Sequence, residues 1–83
     1  MIRVDNSFYE SGCTMEGKGN RVILKGKNGK GNMEMTFLGD KVKVTAARGL
    51  LNTVVPFNYI EEICVTNYSP IEVGPFPAIK LKD

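Results

Sequence analysis

The chain has 83 residues, a net charge of +2, two cysteines and no histidine. A chain of this length forms one domain, so we expect residues 1–83 to fold as a single unit with a thin hydrophobic core. Histidine is the commonest general base and the commonest neutral metal ligand, so its absence argues against an enzyme, a metal site or a cofactor.

The first sixteen residues carry weak structural signals. Ile2 and Val4 alternate with polar residues and predict a short first strand. Between Asn6 and Glu16 only Phe8 and Tyr9 are large enough to anchor a core. A loop and a short helix both fit this segment, and we favour loop and strand.

Two copies of one tetrapeptide follow, twelve residues apart. Gly17-Lys18-Gly19-Asn20 and Gly29-Lys30-Gly31-Asn32 flank the short apolar strand Arg21-Val22-Ile23-Leu24-Lys25. Glycine adopts positive φ at no steric cost and asparagine tolerates it, so both copies predict turns. Because twelve residues is the length of a strand plus a turn, we expect the two turns at the same end of a sheet.

Residues 33–46 predict a hairpin with a defined register. Apolar residues alternate with polar ones on both sides of Gly39-Asp40, which is typical of a two-residue turn. Closing that turn places Phe37 opposite Val42, Met35 opposite Val44 and Met33 opposite Ala46, so one face is apolar. A slip of one residue would turn every apolar side chain to water, which strongly specifies this register.

The second half predicts further short strands. Thr53–Phe57 is one of them, and Pro56 places it at a sheet edge or ends it, because proline cannot donate a ladder hydrogen bond. The spacing of Phe57, Ile60 and Ile63 favours one tight helical turn. The segments expected to follow are an extended run over 63–68, a turn at Ser69-Pro70, an extended run over 71–74, a kink at 75–77 and a last strand over 78–82 with Ile79 and Leu81 facing inward.

Six to eight short strands with frequent turns predict an all-β fold, a small antiparallel barrel or sandwich with at most short helical turns. Cys64 alternates with Ile63 and Val65, which favours a buried free thiol. Two cysteines 51 residues apart are too few for a disulfide framework, and no stretch reaches the roughly 20 apolar residues of a membrane span. We therefore expect a cytoplasmic protein.

Residues 26–66 resemble the bacterial pleckstrin-homology-like domains. The shared features are the glycine-rich opening Gly26-Lys27-Asn28-Gly29, the hairpin of residues 33–44, and the strand that runs through Val55-Pro56-Phe57 to Ile60 and Ile63. The resemblance implies a small barrel closed by a C-terminal helix. Here the sequence predicts a strand instead, so a second protomer would complete such a barrel. The proline-turn-strand signal is also similar to Sm-like barrels, which form rings and often bind RNA.

Charge is unevenly distributed along the chain. Residues 17–48 contain eight basic and two acidic residues, a net of +6, whereas the remainder carries −4. Glycine turns with exposed N–H groups and lysines can bind phosphate, a nucleotide or a nucleic acid backbone. The candidate anion-binding residues are Lys18, Arg21, Lys25, Lys27, Asn28 and Lys30. The alternative is a pair of solvated turns whose lysines protect the sheet edge.

The sequence thus favours a non-enzymatic binding or assembly module with an anionic ligand. We also expect a homo-oligomer, because association would cover edges and extend a thin core. A second possibility is a protein-interaction or inhibitory module, which would use an edge strand or the proline-rich segment around Phe76.

Overall fold

The computed structural model describes residues 2–46, 49–67 and 73–83. The fold over these residues is all-β, as the sequence predicts, with eight strands, one short helix and short 3-10 turns. In chain order the elements are β1 (Arg3–Val4), α1 (Asn6–Glu10), β2 (Thr14–Lys18), β3 (Arg21–Lys25), β4 (Met33–Leu38), β5 (Lys41–Ala46), β6 (Leu51–Pro56), β7 (Ile60–Thr66) and β8 (Phe76–Leu81). The 3-10 turns span Lys27–Gly29 and Phe57–Tyr59.

The strands form two sheets. The larger sheet has the order β2-β3-β4-β5-β6, with every neighbouring pair antiparallel. The smaller sheet has the order β1-β7-β8, in which β7 and β8 are antiparallel and the two-residue strand β1 is parallel to β7. Within the described residues, β2 and β6 are therefore the edges of the larger sheet.

The β4–β5 hairpin has the predicted register. Phe37 lies opposite Val42, Met35 opposite Val44 and Met33 opposite Ala46. Gly39 has a φ of +76°. A two-residue hairpin turn with glycine in its first position requires a positive φ there. The prediction is confirmed because the turn residue and the apolar alternation specify the same pairing.

The core lies between the inner faces of the two sheets. Its buried members come from α1, from the segment before β2 and from both sheets, so no single sheet builds it. They are Phe8, Cys13, Leu24, Met35, Val42, Val44, Ile60 and Ile63.

Two sequence-based expectations are wrong. Residues 6–10 form helix α1 rather than a loop, and it buries Phe8 completely. The two Gly-Lys-Gly-Asn copies lie at opposite ends of the larger sheet rather than at the same end. Only β3 separates them, and consecutive turns of an antiparallel meander alternate between the two ends of a sheet.

The second half follows the predicted order with shifted bounds. Pro56 is the last residue of an edge strand, a tight 3-10 turn follows it, and β7 covers most of the expected extended run. The last strand begins at Phe76, inside the expected kink, and Leu81 near its end lines the inner face beside Ile79 but stays exposed. The turn at Ser69-Pro70 and the first two residues of the run over 71–74 lie outside the described residues. No helix in the described part of the chain has both the length and the apolar character needed to cross a membrane.

Candidate functional site

The two tetrapeptide copies form different kinds of turn. The first is a tight hairpin in which Lys18 pairs with Arg21 and Gly19 has a φ of +59° in open space. The second belongs to a wider loop over residues 26–32. There the Gly26 N–H donates to Asn32 Oδ1 at 3.1 Å, which closes the loop. The same tetrapeptide therefore forms a solvated hairpin turn in the first copy and part of a packed loop in the second.

Three of the predicted site residues form ion pairs with two glutamates on the outer face of the larger sheet. Arg21 contacts Glu34 Oε1 at 2.9 Å, whereas Lys25 and Lys18 contact the two carboxylate oxygens of Glu16 at 3.2 and 3.8 Å. The register explains this, because these residues are diagonal or next-but-one neighbours on the same face. An anion approaching here would meet paired charges.

The pKa of Glu16 reflects the same ion pairs. The Lys25 ammonium donates a hydrogen bond to its carboxylate and adds a Coulombic attraction, as Lys18 does, and together they lower the pKa of Glu16. An opposite charge favours the ionised form of a carboxyl group. Lys25 and Lys18 therefore share one protein carboxylate at neutral pH.

Lys27, Asn28 and Lys30 are brought together in the 26–32 loop. With Gly74 and Pro75 they line a shallow depression of about 190 Å³. Neither lysine forms an ion pair with an acidic side chain of the described residues. The aliphatic stem of Lys27 lies over Gly12, where an added β-carbon would be 3.2 Å from Lys27 Cγ.

Three backbone N–H groups of this loop, including those of Gly26 and Gly29, are engaged inside the protein. Gly29 donates to the Gly26 carbonyl at 3.0 Å and Lys30 to the Lys27 carbonyl at 3.3 Å, in addition to the Gly26–Asn32 bond. Asn28 has the left-handed values φ 58° and ψ 28°, which shapes the turn. An anion at this loop would therefore depend on the two lysine side chains more than on glycine N–H groups.

The end of the proline-rich segment, at Phe76 and Pro77, packs inward. Phe76 and Pro77 are buried, and a β-carbon on Gly31 would come within 2.6 Å of Phe76 Cδ1. A β-carbon on Gly26 would overlap the Lys30 carbonyl oxygen and touch Pro77. The sequence predicts two protein-binding surfaces. At the first of them Phe76 is buried, whereas the edge strand faces solvent.

The edge strand β6 is unusual in its composition. It contains Leu51, Asn52, Thr53, Val54, Val55 and Pro56, and it is the one strand of the described residues with no charged side chain. Val54 is 54 % exposed and Leu51 46 %. The sequence predicts that the strand lies at an edge or ends at Pro56, and that an edge strand could bind a protein, but it does not identify β6 as that surface. The signal available was the uncharged run from residue 49 to residue 60.

The register shows which backbone groups of β6 point outward. The Phe57 N–H donates to the Asp40 carbonyl at 2.8 Å, across the continuation of the β5–β6 pairing. Hydrogen-bonded pairs alternate in an antiparallel ladder, so Val55 and Thr53 are also bonded to β5. The N–H and C=O groups of Asn52 and Val54 therefore point away from β5.

An apolar groove lies beside β6 on the inner face of the sheet. It has a volume of about 170 Å³ and opens to solvent between β6 and the end of β8. Its lining is Met33, Val44, Leu51, Thr53, Val55, Ile79 and Leu81. An extended chain running along β6 would place alternate side chains over this groove.

The remaining candidate reactive groups are the two cysteines and the carboxylates. Both cysteines are free; Cys13 is buried and Cys64 is half-buried, so the expected burial of Cys64 is only partial. Burial, followed by the charges of Glu62 and Asp5, raises the pKa of Cys64. Over residues 2–46, 49–67 and 73–83, no three cysteine or carboxylate side chains are grouped so that they could hold a metal ion.

Comparison with family models, with curated proteins and with solved structures gave no match to this chain. The likeness to pleckstrin-homology-like and Sm-like barrels therefore stays a prediction.

Proposed function

We propose that this chain is a non-catalytic β module that binds an extended polypeptide segment by adding it as a strand beside β6. The observation that carries the proposal is an uncharged, solvent-facing edge strand next to an apolar groove. Proteins usually protect such edges with charge, proline or a covering loop, because an unprotected edge pairs with other chains. Strand β6 carries no charge, and its one proline, Pro56, is its last residue and leaves the preceding positions unprotected.

The backbone edge and the inner face of β6 would have different roles in recognition. The outward N–H and C=O groups of Asn52 and Val54 supply main-chain hydrogen bonds, which give affinity without regard to sequence. The groove beneath Leu51 and Val55 accepts alternate side chains of the added strand, and its largely apolar lining favours uncharged side chains there. The expected partner segment is therefore an extended, uncharged run of about five residues.

The test is a titration with a synthetic seven-residue peptide of alternating valine and threonine with a glutamate at each end. Wild type should bind it, and Val54→Lys should weaken binding at least tenfold because a lysine stands at the pairing edge. Val73→Lys is the matched control, since Val73 is 77 % exposed and lies outside every described strand. The proposal fails if wild type does not bind, or if Val54→Lys binds equally well.

A second candidate function is anion binding at Lys27, Asn28 and Lys30. It is favoured by two lysines that have no acidic partner among the described residues and that border one depression. We infer that this site would hold a phosphate group by charge. Lys18, Arg21 and Lys25 would contribute less, since the three share two glutamates.

This second function is tested by titrating inorganic phosphate and a single-stranded oligonucleotide at several salt concentrations. Affinity should fall steeply with salt, with a logarithmic slope of about 0.7 for each neutralised phosphate of a single strand. Lys27→Glu with Lys30→Glu should abolish binding. Lys41→Glu with Lys43→Glu makes the same change in net charge on β5 and should preserve it. Equal losses in the two double variants would contradict a local site.

A further inference from the structure

We propose that the strand added beside β6 is β6 of a second copy of this chain, related by a two-fold axis through Thr53. This inference rests on the proposed function and names the partner. It follows from three properties of β6: the direction of its free backbone groups, the absence of charge, and the groove on its inner face.

The free backbone groups of β6 are self-complementary. Asn52 and Val54 present their N–H and C=O groups outward, and Thr53 between them is bonded to β5. When two copies run antiparallel about Thr53, Asn52 of each copy lies opposite Val54 of the other. Both are then hydrogen-bonded pairs, and the two Thr53 residues form the non-hydrogen-bonded pair on the axis. The outward N–H and C=O groups of Asn52 and Val54 in both copies all have a partner in this register.

Charge permits self-pairing at this edge. On the outer face Lys43 lies opposite Val54, and Thr45 lies opposite Asn52. In the dimer the Lys43 residues of the two copies would be separated by three strand spacings, roughly 14 Å. This exceeds the Debye length of about 8 Å at physiological ionic strength, so their repulsion is largely screened. The positions nearest the axis are all uncharged.

The other described edges are less suited to two-fold pairing. In β2, an axis through Glu16 would place two carboxylates side by side. In β8, Pro77 has no N–H to donate, and Lys80 is engaged with Glu61 at 3.3 Å. Strand β1 has only two residues and contains Arg3. Among the described strands, β6 alone combines length, neutrality and outward hydrogen-bonding groups.

The inner face gains apolar contacts in the same arrangement. The register about Thr53 places Leu51 of each copy opposite Val55 of the other. Both residues line the groove, which Leu81 borders at the end of β8. The two grooves would then meet at the axis, and the exposed Leu51 would be covered. An edge interface of this size is small, so we expect a reversible, concentration-dependent dimer.

The first experiment is sedimentation equilibrium over a wide concentration range. Wild type and Val73→Lys should dimerise with the same dissociation constant. Val54→Lys and Val54→Pro should each weaken dimerisation at least tenfold. Proline removes an N–H that points away from β5, so the β5–β6 ladder is preserved, and circular dichroism checks that both variants fold.

A second measurement needs no variant. A mixture of isotope-labelled and unlabelled wild type should show an intermolecular contact between the α-protons of Thr53, which approach closely only in a non-hydrogen-bonded antiparallel pair. The inference is overturned if wild type stays monomeric at about 1 mM, if Val54→Pro dimerises normally, or if the dimer lacks this contact. A monomer that still binds the valine-threonine peptide would refute the second copy as partner and leave the proposed function intact.

Discussion

Gly31 lies so close to Phe76 that a β-carbon on residue 31 would be 2.6 Å from Phe76 Cδ1. The φ of Gly31 is +67°, a region that other L-residues rarely adopt. This contact joins the 26–32 loop to β8 and fixes the proline-rich segment against the larger sheet.

Gly31→Ala should therefore lower the free energy of unfolding by two additive effects. Left-handed backbone strain costs about 1–2 kcal/mol, and the clash with Phe76 adds about 1–3 kcal/mol. Gly29→Ala is the matched control, because Gly29 has a φ of +74° in the same loop but open space around it. Urea denaturation of both variants isolates the contact. Equal destabilisation would show that Phe76 does not restrict residue 31.

Met35→Ala tests the register of the β4–β5 hairpin. Met35 is fully buried opposite Val44, so its truncation should lower the free energy of unfolding by about 2–5 kcal/mol. Thr36→Ala on the other face should cost at most about 1 kcal/mol. Thermal and urea unfolding compare the two variants. A larger loss for Thr36→Ala would place the apolar face on the wrong side of the hairpin.

The Lys25–Glu16 pair predicts a measurable titration. Lys25→Met should raise the pKa of Glu16 towards its ordinary value of 4.5, because the hydrogen bond and the nearby positive charge are lost. The lowered pKa stabilises the folded state above the unfolded pKa, and this contribution is lost as pH falls through the folded pKa. Carbon-detected NMR of the Glu16 carboxyl group follows the change. Lys27→Met is the control and should leave the Glu16 titration unchanged.

Cys64 should react slowly with iodoacetamide at pH 8. Burial and the negative charges of Glu62 and Asp5 raise the pKa of its thiol, so little reactive thiolate is present. Glu62→Gln removes one of those charges and should accelerate alkylation, whereas Glu10→Gln in the exposed part of α1 should not. Peptide mapping by mass spectrometry measures the rate at this position. Alkylation faster than that of a free small-molecule thiol would contradict the assignment.

Local patterns made the β4–β5 hairpin predictable, and long-range packing explains what was missed. Gly39 and the alternation around it determine the turn and the register together. Helix α1 has five residues, too few for a helical period to be visible, and it is held by burial of Phe8. The parallel pairing of β1 with β7 joins residues about sixty positions apart, which no local signal indicates.

In the candidate site, as in the fold, local patterns were predictable from the sequence and long-range contacts were not. Sequence composition located the basic residues but not their partners, since Glu16 and Glu34 reach them only through strand pairing. The opposite placement of the two glycine turns could have been deduced, because one strand alone separates them. The edge role of Pro56 was predictable from its missing N–H, whereas the outward direction of Asn52 and Val54 required the observed register.

Backbone amide exchange at β6 tests the central claim most directly. In dilute protein the N–H groups of Thr53 and Val55 should exchange slowly, because they are bonded to β5, and those of Asn52 and Val54 should exchange rapidly. At high concentration, or with the valine-threonine peptide, exchange at Asn52 and Val54 should slow to the rate of their neighbours. Rapid exchange at these two residues under every condition would contradict strand addition at β6.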